Sequence, residues 1–177
     1  IKEREEGLIK NQDLPWVLCG ITQNKNFSFE QLTSINQNIS YSSYSINENL
    51  NWNILIEDPY QEWDWEFLSK NKSLEWKIIK DNFDYPWSWY ELSKNPNIKL
   101  EIIFENKDLP WVWEEVSKHP ELHPNLVLDN LDISWNPIGL IFNDMKYSKN
   151  MYISKKLKKY CTNMLIKTKL PDDIIYY

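Results

Sequence analysis

Glycine, arginine, cysteine and histidine are all scarce in this chain of 177 residues. Three glycines are too few for a phosphate-binding loop or for a β-sandwich rich in tight turns. Arg4 is the only arginine, so the side chain best suited to bidentate phosphate or guanine contacts is nearly absent. Cys19 and Cys161 lack zinc-ligand spacing and are expected to be free thiols in a reducing compartment. No stretch approaches the ~20 apolar residues of a membrane span.

A catalytic or metal-binding constellation is also missing from the sequence. His119 and His123 are four residues apart, a spacing that can hold a metal on a helix. Because Pro120 and Pro124 interrupt that segment, we expect the histidines to replace capping residues instead. Several carboxylates fall at polar helical positions and are predicted to face solvent, namely Glu66, Glu91, Glu114 and Glu115. We therefore predict no catalytic residue, no metal and no cofactor, hence no enzyme.

Tryptophan, by contrast, is abundant and periodic. The ten tryptophans fall into three columns of one repeat with an interval of 24 residues. The first column contains Trp16, Trp63, Trp87, Trp111 and Trp135, the second contains Trp65, Trp89 and Trp113, and the third contains Trp52 and Trp76. A further copy has Ile39 and Tyr41 in place of tryptophan, which gives six repeats with degenerate outer members. Repeats of this length are typical of solenoid proteins.

Each repeat is predicted to form two short helices. Apolar and polar positions place helices over residues 64–70, 74–82, 88–94 and 98–106. The LSKNP segment indicates a helix end, and Ser73 or Asn97 is suited to cap the second helix. Asp84, Asp108 and Asp132 are expected to cap the next first helix, with Pro86 and Pro110 in its opening turn. The alternative is a β structure, because runs such as KII and EIIF are β-branched.

The predicted fold is therefore an all-α solenoid of helix pairs with a C-terminal helical cap. Residues 1–145 form the six repeats, starting in mid-repeat, and residues 146–177 form the capping segment. The opening of the array is the candidate contact end, with Leu8, Ile9, Leu14 and Trp16 expected to lie against a further repeat or a neighbouring subunit. The capping segment carries a candidate basic face of Lys155, Lys156, Lys158 and Lys159, opposite an apolar stripe that includes Leu157.

The tryptophans allow two interpretations. Residues two apart lie on nearly opposite sides of a helix, and both sides are covered by neighbouring units in a solenoid, so packing in the interior is the expected role. An exposed aromatic ladder that stacks single-stranded bases or sugars is the alternative. The net charge of −6 makes the nucleic-acid version less suitable, because neutralising phosphates requires an excess of basic residues.

The motif Pro86-Trp87-Ser88-Trp89-Tyr90-Glu91-Leu92-Ser93-Lys94-Asn95-Pro96-Asn97-Ile98 and its copies resemble a known kind of repeat. They are similar to the tryptophan-rich tandem repeats in proteins of large DNA viruses of amoebae and algae, such as mimivirus relatives. The resemblance covers roughly residues 3–142. It implies a virus-encoded repeat protein and carries no assigned chemistry.

These features lead to three expectations about function. The first is a structural or scaffolding protein that works by protein–protein contact, in a virion or in virus assembly. The second is an adaptor that binds a host protein, and the third is a nucleic-acid binder that uses the terminal lysines. The expected location is the virion or the cytoplasm of the infected host cell, with no membrane partner.

Overall fold

The computed structural model describes residues 18–35, 39–143 and 151–167. These residues form helices joined by turns and contain no β-strand, which confirms the all-α prediction for this part of the chain. The β-branched runs that favoured a sheet lie inside the helices Trp76–Asp81 and Leu100–Glu105. The chain divides into two compact units, Ile1–Ile98 and Lys99–Tyr177.

The first unit contains seven helices among its described residues. They are α1 (Leu18–Thr22), α2 (Phe29–Ile35), α3 (Tyr41–Tyr44), α4 (Trp52–Glu57), α5 (Trp65–Lys70), α6 (Trp76–Asp81) and α7 (Trp89–Leu92). Helix α1 packs against α3, and α5 packs against α7. Helices that occupy the same place in successive repeats are therefore neighbours within this unit.

The second unit contains five helices among its described residues. They are α8 (Leu100–Glu105), α9 (Trp113–Val116), α10 (Pro124–Leu128), α11 (Pro137–Phe142) and α12 (Met151–Lys167). Helix α12 is the long one, with 17 residues, and it packs against both α10 and α11. The last two described helices of the repeats are therefore covered by α12.

The first helix of each pair begins two residues after the anchor position, which leaves one residue between them as the N-cap. The carboxylate of Asp64 accepts from the amide of Phe67, and the Ser88 hydroxyl accepts from the amide of Glu91. These are N-cap bonds, which satisfy amide groups that have no partner within the helix. The predicted capping by Asp84, Asp108 and Asp132 is wrong, because these residues precede the anchor by three positions and the helix begins after it.

The second helix of each pair begins later than the sequence predicts. Glu75 and Lys99 occupy the N-cap positions of α6 and α8, and neither makes a side-chain capping bond. Ser73 and Asn97 therefore do not cap these helices as predicted, because both lie in the turn that precedes them. Pro86 and Pro110 likewise lie before their anchors and not in an opening helical turn. Helices α6 and α8 are both shorter than predicted. In the turns before them, the side-chain oxygens of Asn71 and Asn95 accept from the amides of Ser73 and Asn97.

The interior of each unit is made from apolar side chains of the helices and turns and from the anchor tryptophans. Leu55, Leu68, Ile79 and Leu92 are fully buried in the first unit, and Ile103, Val116, Leu122 and Val127 are fully buried in the second. Burying an aliphatic side chain of this size stabilises the folded state by roughly 1.5–3 kcal/mol. Helices of four to six residues are too short to be stable alone, so this burial holds them in place.

Candidate functional site

The anchor tryptophans are structural residues with a repeated hydrogen bond. Trp63, Trp87, Trp111 and Trp135 are buried, and each donates its indole N–H to a backbone carbonyl five residues earlier in the chain. For Trp87 that acceptor is the carbonyl of Asn82, at 2.9 Å. The indole bond therefore ties the end of each second helix to the start of the next first helix.

The tryptophans of the other two columns are half-buried, not fully interior. Trp65 lies edge-on to Trp87 with 5.3 Å between ring centroids, and Trp113 lies edge-on to Trp135 at 5.5 Å. Edge-to-face pairs of this kind add about 0.5–1.5 kcal/mol to the energy of area burial. The half-buried rings of Trp65 and Trp113 are thus packed against the buried anchor tryptophans.

Buried asparagines connect one repeat to the next within each unit. The amide nitrogen of Asn71 donates to the carbonyls of Ser45 and Asn47, at 3.0 Å each. In the second unit, Asn143 donates in the same way to the carbonyls of Ser117 and His119, at 3.1 and 2.9 Å. The sequence predicts a helix end at this column, and Asn71 does end α5, with an extended backbone of φ −63° and ψ 132°. Its role is to satisfy carbonyls of the preceding repeat.

A column of buried serines makes a second connection between repeats. The hydroxyl of Ser69 donates to the carbonyl of Trp65 at 2.7 Å and accepts from the amide of Ser88 at 2.8 Å. Ser117 makes the same two bonds, to the carbonyl of Trp113 at 2.6 Å and from the amide of Asn136 at 3.0 Å. The serine and asparagine side chains of these columns lie near helix ends, and they bond to the backbone of a neighbouring repeat.

The two histidines hold turns together. Nδ1 of His119 accepts from the amide of Glu121, and Nδ1 of His123 accepts from the amide of Asn125 as the N-cap of α10, both at 3.2 Å. Burial lowers the pKa of His119, although the nearby carboxylates of Glu121 and Glu101 act in the opposite direction. Within the described residues, no three His, Cys, Asp or Glu side chains come together as a set of metal ligands.

Helix α12 buries Leu157 and Cys161 against the repeats. All four lysines of the predicted basic face are exposed: Lys155, Lys156, Lys158 and Lys159. Burial raises the pKa of the Cys161 thiol to about 11, so the thiol remains protonated and poorly nucleophilic at neutral pH. The basic face is thus presented as a separate surface by a helix whose other side packs on the repeats.

An open groove of about 710 Å³ lies between α8 and α10 in the second unit. Four exposed carboxylates line it, those of Glu101, Glu105, Glu121 and Asp129, and Leu100, Phe104 and Leu126 contribute apolar surface. Lys107 also borders the groove, where its ammonium contacts the side chain of Asn130 and lies 5.6 Å from the centre of the Phe104 ring. Sequence reasoning missed this groove because its carboxylates are far apart in the sequence, on α8, in the turn before α10 and at the end of α10.

The structure describes one of the two predicted contact surfaces and not the other. The basic face lies within the described residues, whereas Leu8, Ile9, Leu14 and Trp16 lie outside them.

None of the described helices is both long enough and apolar enough to cross a membrane. No family model matches the sequence, and neither a curated protein nor a solved structure is significantly similar to it.

Proposed function

We propose that this protein is an α-solenoid that acts without catalysis, as a structural or scaffolding protein in contact with other proteins. The observation that carries the proposal is the recurrence of the Trp, Asn and Ser hydrogen bonds at corresponding positions of successive repeats. Asn47, Asn71 and Asn95 in the first unit each reach back to two carbonyls of the preceding repeat. Such contacts favour an array in which each unit is built against its neighbour.

The proposed role follows from how the side chains are used. The buried polar side chains bond to the backbone, so they stabilise the packing of each repeat on the one before it. The outer faces of the repeats are then left for partners. Solenoids present such faces over long distances, which suits a scaffold. The resemblance to viral tryptophan-rich repeats supports placing this scaffold in a virion or its assembly apparatus. In this proposal, α12 caps the array by covering α10 and α11.

Quantitative mass spectrometry of purified virus particles tests this proposal. A structural component is expected at a fixed ratio to the major capsid protein across gradient fractions and after a high-salt wash. Absence from particles, together with specific recovery of one host protein in pull-downs from infected cells, would replace the structural role with that of an adaptor. An abundant cytoplasmic protein that is added to the lysate before purification serves as the control for trapping.

A further inference from the structure

The exposed side of α12 is a strongly basic face, which we call the lysine face and define by Lys155, Lys156, Lys158 and Lys159. At 100° per residue these positions span an arc of about 160°, centred opposite the buried Leu157. Ile166 falls near the centre of the same arc and is 70% exposed. The face therefore combines clustered positive charge with one exposed aliphatic side chain.

The lysine face has no ionic partner within the described residues. Helix α12 contains no carboxylate, and the ion pairs of the described chain are made by other lysines, such as Lys72 with Glu48 and Lys118 with Glu115. Four like charges within two helical turns repel one another, which destabilises an isolated helix by a few tenths of a kcal/mol per pair. Binding of an anionic surface would relieve this repulsion.

The same chain carries a surface with the complementary chemistry. The groove between α8 and α10 is lined by Glu101, Glu105, Glu121 and Asp129, and none of the four forms an ion pair within the described residues. Its apolar part matches the exposed Ile166 in character. The groove and the lysine face both belong to the second unit, so every copy of the chain offers both.

The charge of the rest of the chain favours a protein partner over a nucleic acid. Residues 18–35 and 39–143 contain nineteen acidic and nine basic residues, so the repeats would repel a polyanion that approached α12. The lysine face also contains no arginine, the side chain that forms bidentate contacts with phosphate. A second copy of this chain avoids both difficulties, because it supplies carboxylates around an apolar strip.

We propose that the lysine face of one copy docks in the acidic groove of a second copy, and that the chain self-associates through this contact. The inference rests on the proposed structural role and names one partner for it. Opposite charge on the two surfaces sets the orientation of the copies and speeds their encounter. Contact between different surfaces gives either a closed ring or an extended filament, and both are forms that a scaffold can take.

Sedimentation velocity of the full chain over a range of concentrations tests the contact. At low ionic strength we expect association that weakens as salt is raised, because exposed charge pairs are screened. The variant Lys155→Glu/Lys159→Glu is expected to weaken the association about tenfold or more. The matched control is Lys77→Glu/Lys80→Glu on α6, which alters net charge equally at two exposed lysines and is expected to leave association unchanged.

A charge exchange makes the test specific to the two surfaces. Glu101→Lys/Glu121→Lys is expected to weaken association as the lysine-face variant does, and combining both pairs in one chain is expected to restore it. Circular dichroism verifies that each variant keeps its helices.

A wild-type chain that is monomeric at low salt, or variants that associate no more weakly than the control, would overturn the proposal. Salt-sensitive binding of a DNA duplex by such a monomer would assign the lysine face to nucleic acid. A monomer that is still stoichiometric in purified particles would reject this contact and leave the proposed structural function standing.

Discussion

The side-chain amide nitrogen of Asn95 lies 2.8 Å from the carbonyl oxygen of Ser69, twenty-six residues earlier in the chain. The same nitrogen donates to the carbonyl of Asn71 at 3.2 Å, and the side-chain oxygen of Asn95 accepts from the amide of Asn97 at 2.9 Å. One buried side chain thus satisfies three backbone groups from two repeats. A polar group that is buried without a partner costs about 1–3 kcal/mol, so losing this side chain would lower the free energy of unfolding by more than the loss of its packing alone.

Replacing Asn95 with alanine should therefore destabilise the protein by about 2–4 kcal/mol, since several backbone groups lose their partner at once. Urea unfolding followed by circular dichroism measures the change. The control is Asn53→Ala, because Asn53 is exposed on α4 and alanine favours a helix. Equal midpoints for the Asn95 variant and the control would contradict the role assigned to the asparagine column.

Ser69→Ala tests the serine column in the same way. The variant removes the acceptor for the amide of Ser88, which begins the next helix pair, and we expect a loss of about 1–3 kcal/mol. Ser34→Ala is the matched control, because Ser34 also donates its hydroxyl to a carbonyl of its own helix but is exposed. If both variants unfold at the same urea concentration, the bond between Ser69 and Ser88 contributes nothing measurable.

The two described helical glycines should respond in opposite directions to alanine. A Cβ on Gly139 would lie 3.0 Å from Cβ of Ser117, which is buried and held by its own two hydrogen bonds. Gly139→Ala is therefore expected to destabilise the protein by about 1–2 kcal/mol despite the better helix propensity of alanine. A Cβ on Gly20 meets nothing within 4 Å, so Gly20→Ala should be neutral or raise the melting temperature. Thermal melts that show the reverse order would contradict the packing of α11 on Ser117.

His119 should make the protein sensitive to mild acid. Because burial holds its pKa below the ordinary value, its contribution to stability is present above the unfolded-chain pKa and is lost as the pH falls below it. Protonation at Nδ1 also removes the acceptor for the amide of Glu121. His119→Asn, which restores the residue typical of the column, should lose less stability than wild type between about pH 7 and pH 5. Parallel stability curves for the two proteins over this range would exclude His119 as the cause.

The helical character was predictable because the apolar residues follow a helical pattern and the tryptophans recur at a regular spacing. Helix boundaries were less predictable, since Ser73 and Asn97 can cap a helix in principle but lie in turns here. The asparagine column lies at or just after helix ends, as predicted, but its bonds to the preceding repeat were not predicted, for a physical reason. Asn71 bonds to residues of another repeat, and local rules for helix ends contain no information about partners that are 24 residues away.

The lysine face was visible in the sequence because the four lysines flank Leu157 on both sides, and on one helix such positions fall within an arc of about 160°. The acidic groove was not visible, because Glu101 and Glu121 come together only when α8 and the turn before α10 are placed in the fold. A search for carboxylates at matching positions of successive repeats would have found part of it. The charge of a groove between two repeats depends on side chains from both repeats.

The most direct test of the central claim, that the repeats form a stacked array, is the deletion of one complete unit. Removing residues 64–87 joins Trp63 to Ser88, so Ser45 can accept from the amide of Ser88 and Asn95 can reach the carbonyls of Ser45 and Asn47. We predict that this chain keeps wild-type helicity per residue by circular dichroism and unfolds cooperatively in urea. Removal of residues 64–75, half a unit, should abolish that transition because the columns no longer align. A whole-unit deletion that loses its helical signal, or a half-unit deletion that folds as well, would contradict the account.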